Sequence, residues 1–382
     1  MRRVAVTALV GVCSAPLGAR AAPTTVTVTA EGGGEADTNV ERVETGPGLD
    51  TARRAAPVVR LGARLDVRGH AGKGAFAALG SALARVVGTG VTPAENVVLV
   101  AADLRYLHPL GARPVSAGVA LAGADALPVS VPVGARTFAT AGADALLVLR
   151  DGRDPEPARA LTLTAGPRAF RYQPNHDFDW VGLAVAARLD LTLWQSADAT
   201  RSLELASTAG FEARRYASTA FANACASDAM PTLDCFAPTT TTRHDRYEHA
   251  GADLTYSGAI VAAVGYQATV IDSNSFGQSI VRHRITASAT TGLPGHFIGT
   301  ALATLQLDSY LDGLLLQKDL QFQELTSLDD VNRSSLQLRI SRGLSRAWSA
   351  EGRAAIWRDV GTDTRFTEYR RELLYLGAVY SH

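Results

Sequence analysis

Apolar and polar residues alternate with a period of two along much of the chain, most clearly from Trp180 to Trp194. The odd-numbered positions of this stretch are Val, Leu or Ala, and the even-numbered positions between its two tryptophans are Gly, Ala, Thr, Arg or Asp. Successive side chains of a strand point to opposite faces, so the pattern predicts a strand with one apolar face. Ordinary strands average about five or six residues. A strand this long with Trp at both ends is typical of a tilted membrane strand between two aromatic girdles.

The same alternation recurs through the chain, at residues 59–68, 98–106, 203–212, 281–288 and 336–341. A soluble β-sandwich would rarely sustain it and would place more large residues in a shared core, so a membrane barrel is favoured. We predict sixteen strands, at residues 24–33, 57–69, 74–87, 96–107, 114–125, 136–150, 158–172, 179–195, 201–217, 245–257, 259–272, 279–291, 296–310, 333–345, 347–360 and 369–382. In the seventh strand the apolar phase changes between Thr164 and Phe170, which predicts a bulge at Gly166-Pro167.

The connections between the predicted strands follow a rhythm of their own. Long loops follow strands 1, 9 and 13, and tight turns such as Ser257-Gly258 and Gly292–Gly295 follow strands 2, 8, 10, 12 and 14. An even-stranded barrel with both termini in the periplasm requires long loops outside and short turns inside. The fold class predicted is therefore all-β, a transmembrane antiparallel up-and-down β-barrel of about 16 strands, or 18 if the loops contain a further hairpin.

The N-terminus has the features of a cleavable secretory signal. Arg2 and Arg3 precede an apolar run from Val4 to Val12, and small residues end at Ala21. This apolar run is too short for a membrane anchor, and no stretch of the chain approaches the roughly 20 apolar residues of a membrane helix. We assign residues 1–21 to a signal peptide and 22–382 to the barrel. Cys13 follows Val12 and does not match a lipid-acceptor cysteine.

Export also determines how the remaining two cysteines are interpreted. Cys225 and Cys235 would reside in an oxidising compartment, where an even number of cysteines suggests a disulfide. We expect this disulfide to close the long loop between strands 9 and 10.

Lys plus Arg and Asp plus Glu both number 37, so the net charge is zero and no nucleic-acid partner is indicated. The phase of the alternation instead turns many arginines toward the lumen. The predicted lumen-lining residues are Arg60, Arg64, Arg68, Asp103, Arg105, Arg188, Asp190, Arg214, Arg282, Arg284, Arg339, Arg353, Trp357 and Tyr375. Two interpretations stay open: arginines and acids pair to fill a polar interior, or the arginines select anionic cargo. Trp357 and Tyr375 are candidates for a sliding surface for sugars.

No arrangement of residues predicts catalysis, a metal or a cofactor, and we do not expect an enzyme. Two clusters, His176–Asp179 and Thr241–Asp245, combine polar and titratable side chains, but both fall in predicted connections where such residues are common. Gly32–Gly34 is not a phosphate loop, because no helix pattern follows it.

The stretch Gly32–Val40, which contains Asp37-Thr38-Asn39-Val40 after an alternating strand, resembles a family of polysaccharide-export barrels. These are similar to the C-terminal porin of the poly-N-acetylglucosamine exporter, and surface-lipoprotein assembly modifiers are relatives. The terminal strand Tyr375–His382, with Tyr380 near its end, also resembles the last strand of outer-membrane barrels. Barrel-only versions in myxobacterial exopolysaccharide systems are the most similar. The family often carries tetratricopeptide repeats before the barrel, so here a periplasmic scaffold would be another chain.

The resemblance implies a Gram-negative outer membrane, with outer-membrane lipids and lipopolysaccharide, a polysaccharide substrate and a periplasmic export protein as partners. The leading hypothesis is a conduit for a secreted exopolysaccharide or other surface polymer. One alternative is a general or solute-specific diffusion porin. Another is a closed barrel that acts as a receptor, adhesin or assembly factor through its extracellular loops.

Overall fold

The computed structural model describes residues 24–43, 45, 53–88, 95–111, 114–129, 131–132, 136–151, 159–225, 235–312, 333–360 and 369–382. The predicted signal peptide and the interior of the connection between strands 13 and 14 lie outside these residues. Among the described residues, no helix is long and apolar enough to cross a membrane.

The described strands form one closed antiparallel barrel in which every strand pairs with its neighbours in sequence and the first pairs with the last. The predicted fold class and number of strands are confirmed. The strands are β1 Thr25–Asp37, β2 Ala56–Ala71, β3 Gly74–Val87, β4 Val97–Pro109, β5 Val115–Pro128, β6 Phe138–Asp151, β7 Arg159–Tyr172, β8 Trp180–Gln195, β9 Ser202–Asn223, β10 Phe236–Ser257, β11 Ile260–Ser273, β12 Ile280–Leu293, β13 Phe297–Tyr310, β14 Ser334–Gly343, β15 Trp348–Arg358 and β16 Arg370–Ser381.

The connections divide the barrel into two ends. We call the turn end the one with the connections that follow even-numbered strands, such as Gly72-Lys73 and residues 258–259. The loop end carries the connections that follow odd-numbered strands. Gly72 and Gly295 have positive φ angles within tight turns, a conformation that glycine adopts without steric cost.

Alternation gives the barrel an apolar outer face. Val181 and Leu183 of β8 expose 62% and 64% of their surface, while Ala186 and Arg188 line the interior. At the turn end, the rings of Trp348 and Tyr380 pack together on the outside with centroids 5.2 Å apart. The barrel thus has an outer band of aliphatic side chains with aromatic rings at its turn-end edge, as a lipid-facing surface requires.

The sequence pattern predicted Trp180 in an outer aromatic girdle, and this prediction is wrong. Its even position turns the side chain to the inner face. There its ring stacks on Phe170 at a centroid distance of 6.0 Å. At the other end of β8 the register shifts between Thr192 and Trp194. Trp194 is 47% exposed. The sequence pattern does not reveal this irregularity, because Leu193 and Trp194 are both compatible with an outer face.

The predicted bulge at Gly166-Pro167 is wrong. β6 and β7 keep one register on both sides of it, with Ala145 opposite Ala165 and Gly142 opposite Arg168. The apolar phase changes in the sequence because Phe170 is apolar but points inward, where it stacks on Phe138. An inward aromatic residue, and not a bulge, therefore accounts for the break in the alternation of apolar and polar residues.

β1, β9 and β10 extend furthest beyond their predicted bounds at the loop end. β1 continues through the glycine run to Asp37, because those glycines pair with both β2 and β16. β9 continues to Asn223, and β10 already begins at Phe236. Their sequences there are rich in Ala and Thr and have no apolar face, so alternation gives no signal for this part of the hairpin.

Candidate translocation path

A cavity of about 790 Å³ lies inside the barrel against the inner faces of β4 to β12. Its wall combines small residues with charges of both signs. The charged residues on the wall are Asp103, Arg105, Asp144, Arg150, Arg188, Asp190, Asp253 and Arg284. Four of these are acidic and four are basic, and His249 and Gln267 add further hydrogen-bonding groups. The lining therefore combines small apolar residues with charges that balance in sign.

Many lumen charges occur as an acid and an arginine two positions apart on one strand. Because side chains at i and i+2 share a face, the two can pair without help from another strand. Arg68 contacts Asp66 at 3.0 Å, Arg188 contacts Asp190 at 2.7 Å and Arg243 contacts Asp245 at 2.7 Å. Glu212 with Arg214 and Glu351 with Arg353 follow the same spacing. Asp103 and Arg105 share this spacing, but no ion pair joins them in the structure.

The loop end of β1, β3 and β16 holds a buried ion cluster centred on Asp37. Its carboxylate accepts hydrogen bonds from Arg85 and from Arg371, each with a shortest distance of 2.7 Å. Glu35 lies 3.7 Å from Arg85, and Glu95 pairs with Arg136 at 2.8 Å. All of these side chains are almost fully buried, so their charges are compensated inside the protein and not by water.

The residues after Asp37 fasten the first loop to the last strand. The Thr38 hydroxyl accepts a hydrogen bond from the Glu372 amide at 2.8 Å. The Asn39 side-chain amide donates to the Val43 and Arg370 carbonyl oxygens. Val40 is fully buried against Val58 and Val87. The Asp-Thr-Asn-Val motif on which the family resemblance rests thus has a structural role, namely to hold the seam where the barrel closes.

Aromatic rings and arginines form a continuous stack on the inner face from β6 to β10, again at the loop end. Phe138, Phe170 and Trp180 stack in turn. The Arg214 guanidinium lies 4.2 Å from the centre of the Trp180 ring and 3.7 Å from that of Tyr247. Cation–π contacts of this kind fix the position of the guanidinium. We call this set the aromatic–arginine ladder; Phe138 and Phe170 are its buried members, and Trp180, Arg214 and Tyr247 are half-buried.

The two ends of the lumen therefore differ. At the loop end, the Asp37 cluster and the aromatic–arginine ladder fill the inner faces of their strands with packed side chains. Toward the turn end, inward arginines such as Arg64 and Arg188 keep about half of their side chains exposed, and Arg68 keeps 71%. Among the described residues, the lumen thus has a packed loop end and a turn end at which charged side chains are open to water.

The structure turns every predicted lumen residue to the inner face, in three different settings. On the wall of the cavity lie Asp103, Arg105, Arg188, Asp190 and Arg284. In ion pairs or close to acids lie Arg60, Arg64, Arg68, Arg214, Arg282, Arg339 and Arg353. Trp357 and Tyr375 are each only 2% exposed. The prediction that these two rings form a sliding surface is wrong, because Arg371 covers Trp357 and Tyr375 packs over Gly33 and Gly377.

The remaining predicted groups are structural. Cys225 and Cys235 are joined by a disulfide at the loop end of β9 and β10. In the cluster His176–Asp179, the Asp179 carboxylate accepts hydrogen bonds from the Tyr172 amide at 2.7 Å and contacts His176 at 3.0 Å. Within the described residues, no group of His, Cys, Asp and Glu is arranged to hold a metal ion.

The residues missed by the sequence analysis are mainly those of the Asp37 cluster. Arg85, Glu95, Arg136 and Arg371 come from separate strands and loops, and only the closed barrel brings them together. The spacing of acid and arginine at i and i+2 was visible in the sequence. It would have identified Arg243 with Asp245 as a local pair.

Comparison with known proteins gives structural neighbours only. No family model matches the chain, and no curated protein matches it. The match to OprB of Pseudomonas putida at high pH covers 94% of this chain and 94% of the OprB chain, with 8% identity and a TM-score of 0.48. The match to Salmonella typhi OmpF in complex with daunomycin covers 94% of this chain and 97% of the OmpF chain, with 9% identity and a TM-score of 0.44. At these identities and TM-scores, neither neighbour informs the cargo of this chain.

Proposed function

We propose that this protein is an outer-membrane channel for saccharides and that its physiological cargo is a secreted polysaccharide. The observation that carries the channel proposal is the combination of a closed barrel, an apolar outer face and a hydrated, charge-lined interior. Barrels of 16 to 18 strands enclose an aqueous channel, and an apolar outer band with a polar interior is the pattern of a barrel in lipid.

The character of the lining supports a polyhydroxylated cargo over a strongly charged one. Acid–arginine pairs such as Arg188 with Asp190 present both donors and acceptors, and hydroxyl groups use both. Equal numbers of acids and arginines on the cavity wall leave little net field to concentrate ions of one sign. Of the two interpretations left open by the sequence, the pairing of arginines with acids therefore explains more of the lumen.

Export of a polymer is the finer part of the proposal, and it rests on the resemblance of Gly32–Val40 to polysaccharide-export barrels. A diffusion porin for small saccharides is the second candidate. It is favoured by the size of the cavity, which falls within the range of about 300–1,000 Å³ typical of small-molecule sites.

Two measurements test the proposal. The purified protein, reconstituted into liposomes, is expected to admit neutral mono- and disaccharides in a swelling assay and to conduct ions in planar bilayers. Deletion of the gene in the source organism is expected to abolish secretion of one surface polysaccharide, and the wild-type gene to restore it.

The outcomes separate the candidates. Swelling and conductance with unchanged secretion of every surface polysaccharide would replace the exporter by the diffusion porin. Absence of both conductance and swelling in a correctly folded sample would contradict the channel itself and favour a closed barrel that binds through its loops.

A further inference from the structure

A shallow groove of about 620 Å³ crosses the outer surface of β6 to β9 close to the loop end. Its floor is made of the outward Ala139, Ala141 and Ala169, and Val181 borders the floor on β8. Ala141, Ala169 and Val181 stand side by side on three successive strands, since Ala141 pairs with Ala169 and Ala169 with Val181. The floor is low because alanine replaces the larger Leu163, Leu183 and Val185 that cover the outer face nearer the middle of the barrel.

Two exposed arginines border this groove. Arg215 pairs with Val181 on the next strand and continues the row of floor residues. Arg171 pairs with Ala139 and keeps 68% of its side chain exposed. The two arginines lie two strands apart, roughly 10 Å across the sheet. Arg215 forms no ion pair with any residue that the structure describes, and Arg171 only approaches Asp179 at 3.9 Å.

Other charges near the groove place its most positive part between these arginines. Outward His244 pairs with Arg215, and Arg246 follows on the same face of β10. Asp179 lines the groove beside Arg171, and Tyr172 and His176 engage its carboxylate. Two further carboxylates lie at the margins, Asp125 opposite Ala139 and Asp272 opposite Arg246. An anion is therefore best accommodated between Arg171 and Arg215, nearer to Arg215.

We propose that this groove binds a phosphorylated glycolipid of the outer leaflet, with an acyl chain on the alanine floor and a phosphate between Arg171 and Arg215. The groove lies at the loop-end border of the apolar outer band, where lipid headgroups meet the barrel if the loops face outward. Apolar contact and charge complementarity then act on the same molecule. This inference rests on the proposed location of the barrel in an outer membrane.

The test uses the full barrel in detergent, with bound lipid counted by native mass spectrometry. The probe is a bisphosphorylated, acylated glucosamine disaccharide, compared with the same lipid after removal of its phosphates. We expect the wild-type protein to bind the phosphorylated form at least about tenfold more tightly. The double variant R171Q/R215Q should lose this preference. The matched control R358Q removes another exposed outward arginine at the loop end of β15 and should keep it.

A second variant tests the floor of the groove. Ala169→Phe fills it without a change of charge and should weaken binding of both forms of the lipid. Equal binding of the two lipid forms by the wild type, or equal loss in R358Q and R171Q/R215Q, would overturn the proposed site. Conductance measured on the same samples keeps the two proposals separate, because R171Q/R215Q should conduct like the wild type whether or not the lipid binds.

Discussion

Asp37 is the residue on which the buried charge at the loop end converges. Its two oxygens accept from the guanidinium groups of Arg85 and Arg371, and its side chain is completely buried. Loss of one member of a buried ion cluster leaves its partners charged without compensation, and this costs more than the cluster itself contributes to stability.

We therefore expect Asp37→Asn to destabilise the barrel by about 3–5 kcal/mol. The measurement is the urea concentration at half-unfolding in lipid vesicles, followed by tryptophan fluorescence. Asp66→Asn is the matched control, because it breaks a pair with Arg68, at 3.0 Å, that is open to water. An unchanged midpoint for Asp37→Asn would show that the cluster is not needed for closure.

Gly33 and Gly34 provide a second test at the scale of single residues. A Cβ at Gly33 would collide with the Leu376 carbonyl oxygen and the Tyr375 ring, whereas a Cβ at Gly34 would meet nothing within 4 Å. Gly33→Ala is expected to lower stability by about 1–3 kcal/mol through overpacking. Gly34→Ala should leave the unfolding midpoint unchanged or raise it slightly. If both variants behaved alike, the close packing of Tyr375 on β1 would be disproved.

Among the elements, the hairpin of β9 and β10 is the longest in the described part of the chain and extends past the loop end of its neighbours. Thr239 donates to the Ala220 carbonyl oxygen, and Phe236 packs against Phe221 and Phe276. The disulfide between Cys225 and Cys235 closes its tip. These contacts stabilise strand segments that the alternation of the sequence does not predict.

A loop of this size predicts that the disulfide contributes about 2–4 kcal/mol. Reduction with a soluble thiol should lower the unfolding midpoint of the wild type. The variant C225S/C235S should unfold at the midpoint of the reduced protein and should not respond to the thiol. A thiol effect of equal size in that variant would mean that reduction acts elsewhere.

At the scale of the whole molecule, the lumen is balanced in charge although the chain uses Arg for almost all of its cations. The closed barrel brings many inward arginines within reach of acids on their own or a neighbouring strand, as with Arg282 and Asp308 at 2.9 Å. The asymmetry between a packed loop end and a hydrated turn end is also a property of the whole barrel.

This balance predicts weak ion selectivity in planar bilayers, with a reversal potential near zero in a KCl gradient. Asp190→Asn and Asp253→Asn together remove two negative charges from the cavity wall and should shift the channel toward anions. Gln267→Ala, also on the wall, changes no charge and serves as the control. Strong anion selectivity of the wild type would contradict the balance and restore the hypothesis of an anion conduit.

The sequence by itself determined the class of fold, the number of strands and the face to which most residues point. These follow from alternation and from the positions of turns, which are local properties of the chain. The inward direction of Arg188, Asp190 and Arg284 was predicted in this way.

Only the tertiary structure decided which inward residues are hydrated and which are buried. Trp357 and Tyr375 have the correct phase for the lumen, but contacts with Arg371 and Gly33 remove them from it. The Asp37 cluster joins residues more than 300 positions apart, such as Asp37 and Arg371. Such contacts exist only once β1 meets β16, because closure of the barrel and not local pattern brings the two ends of the chain together.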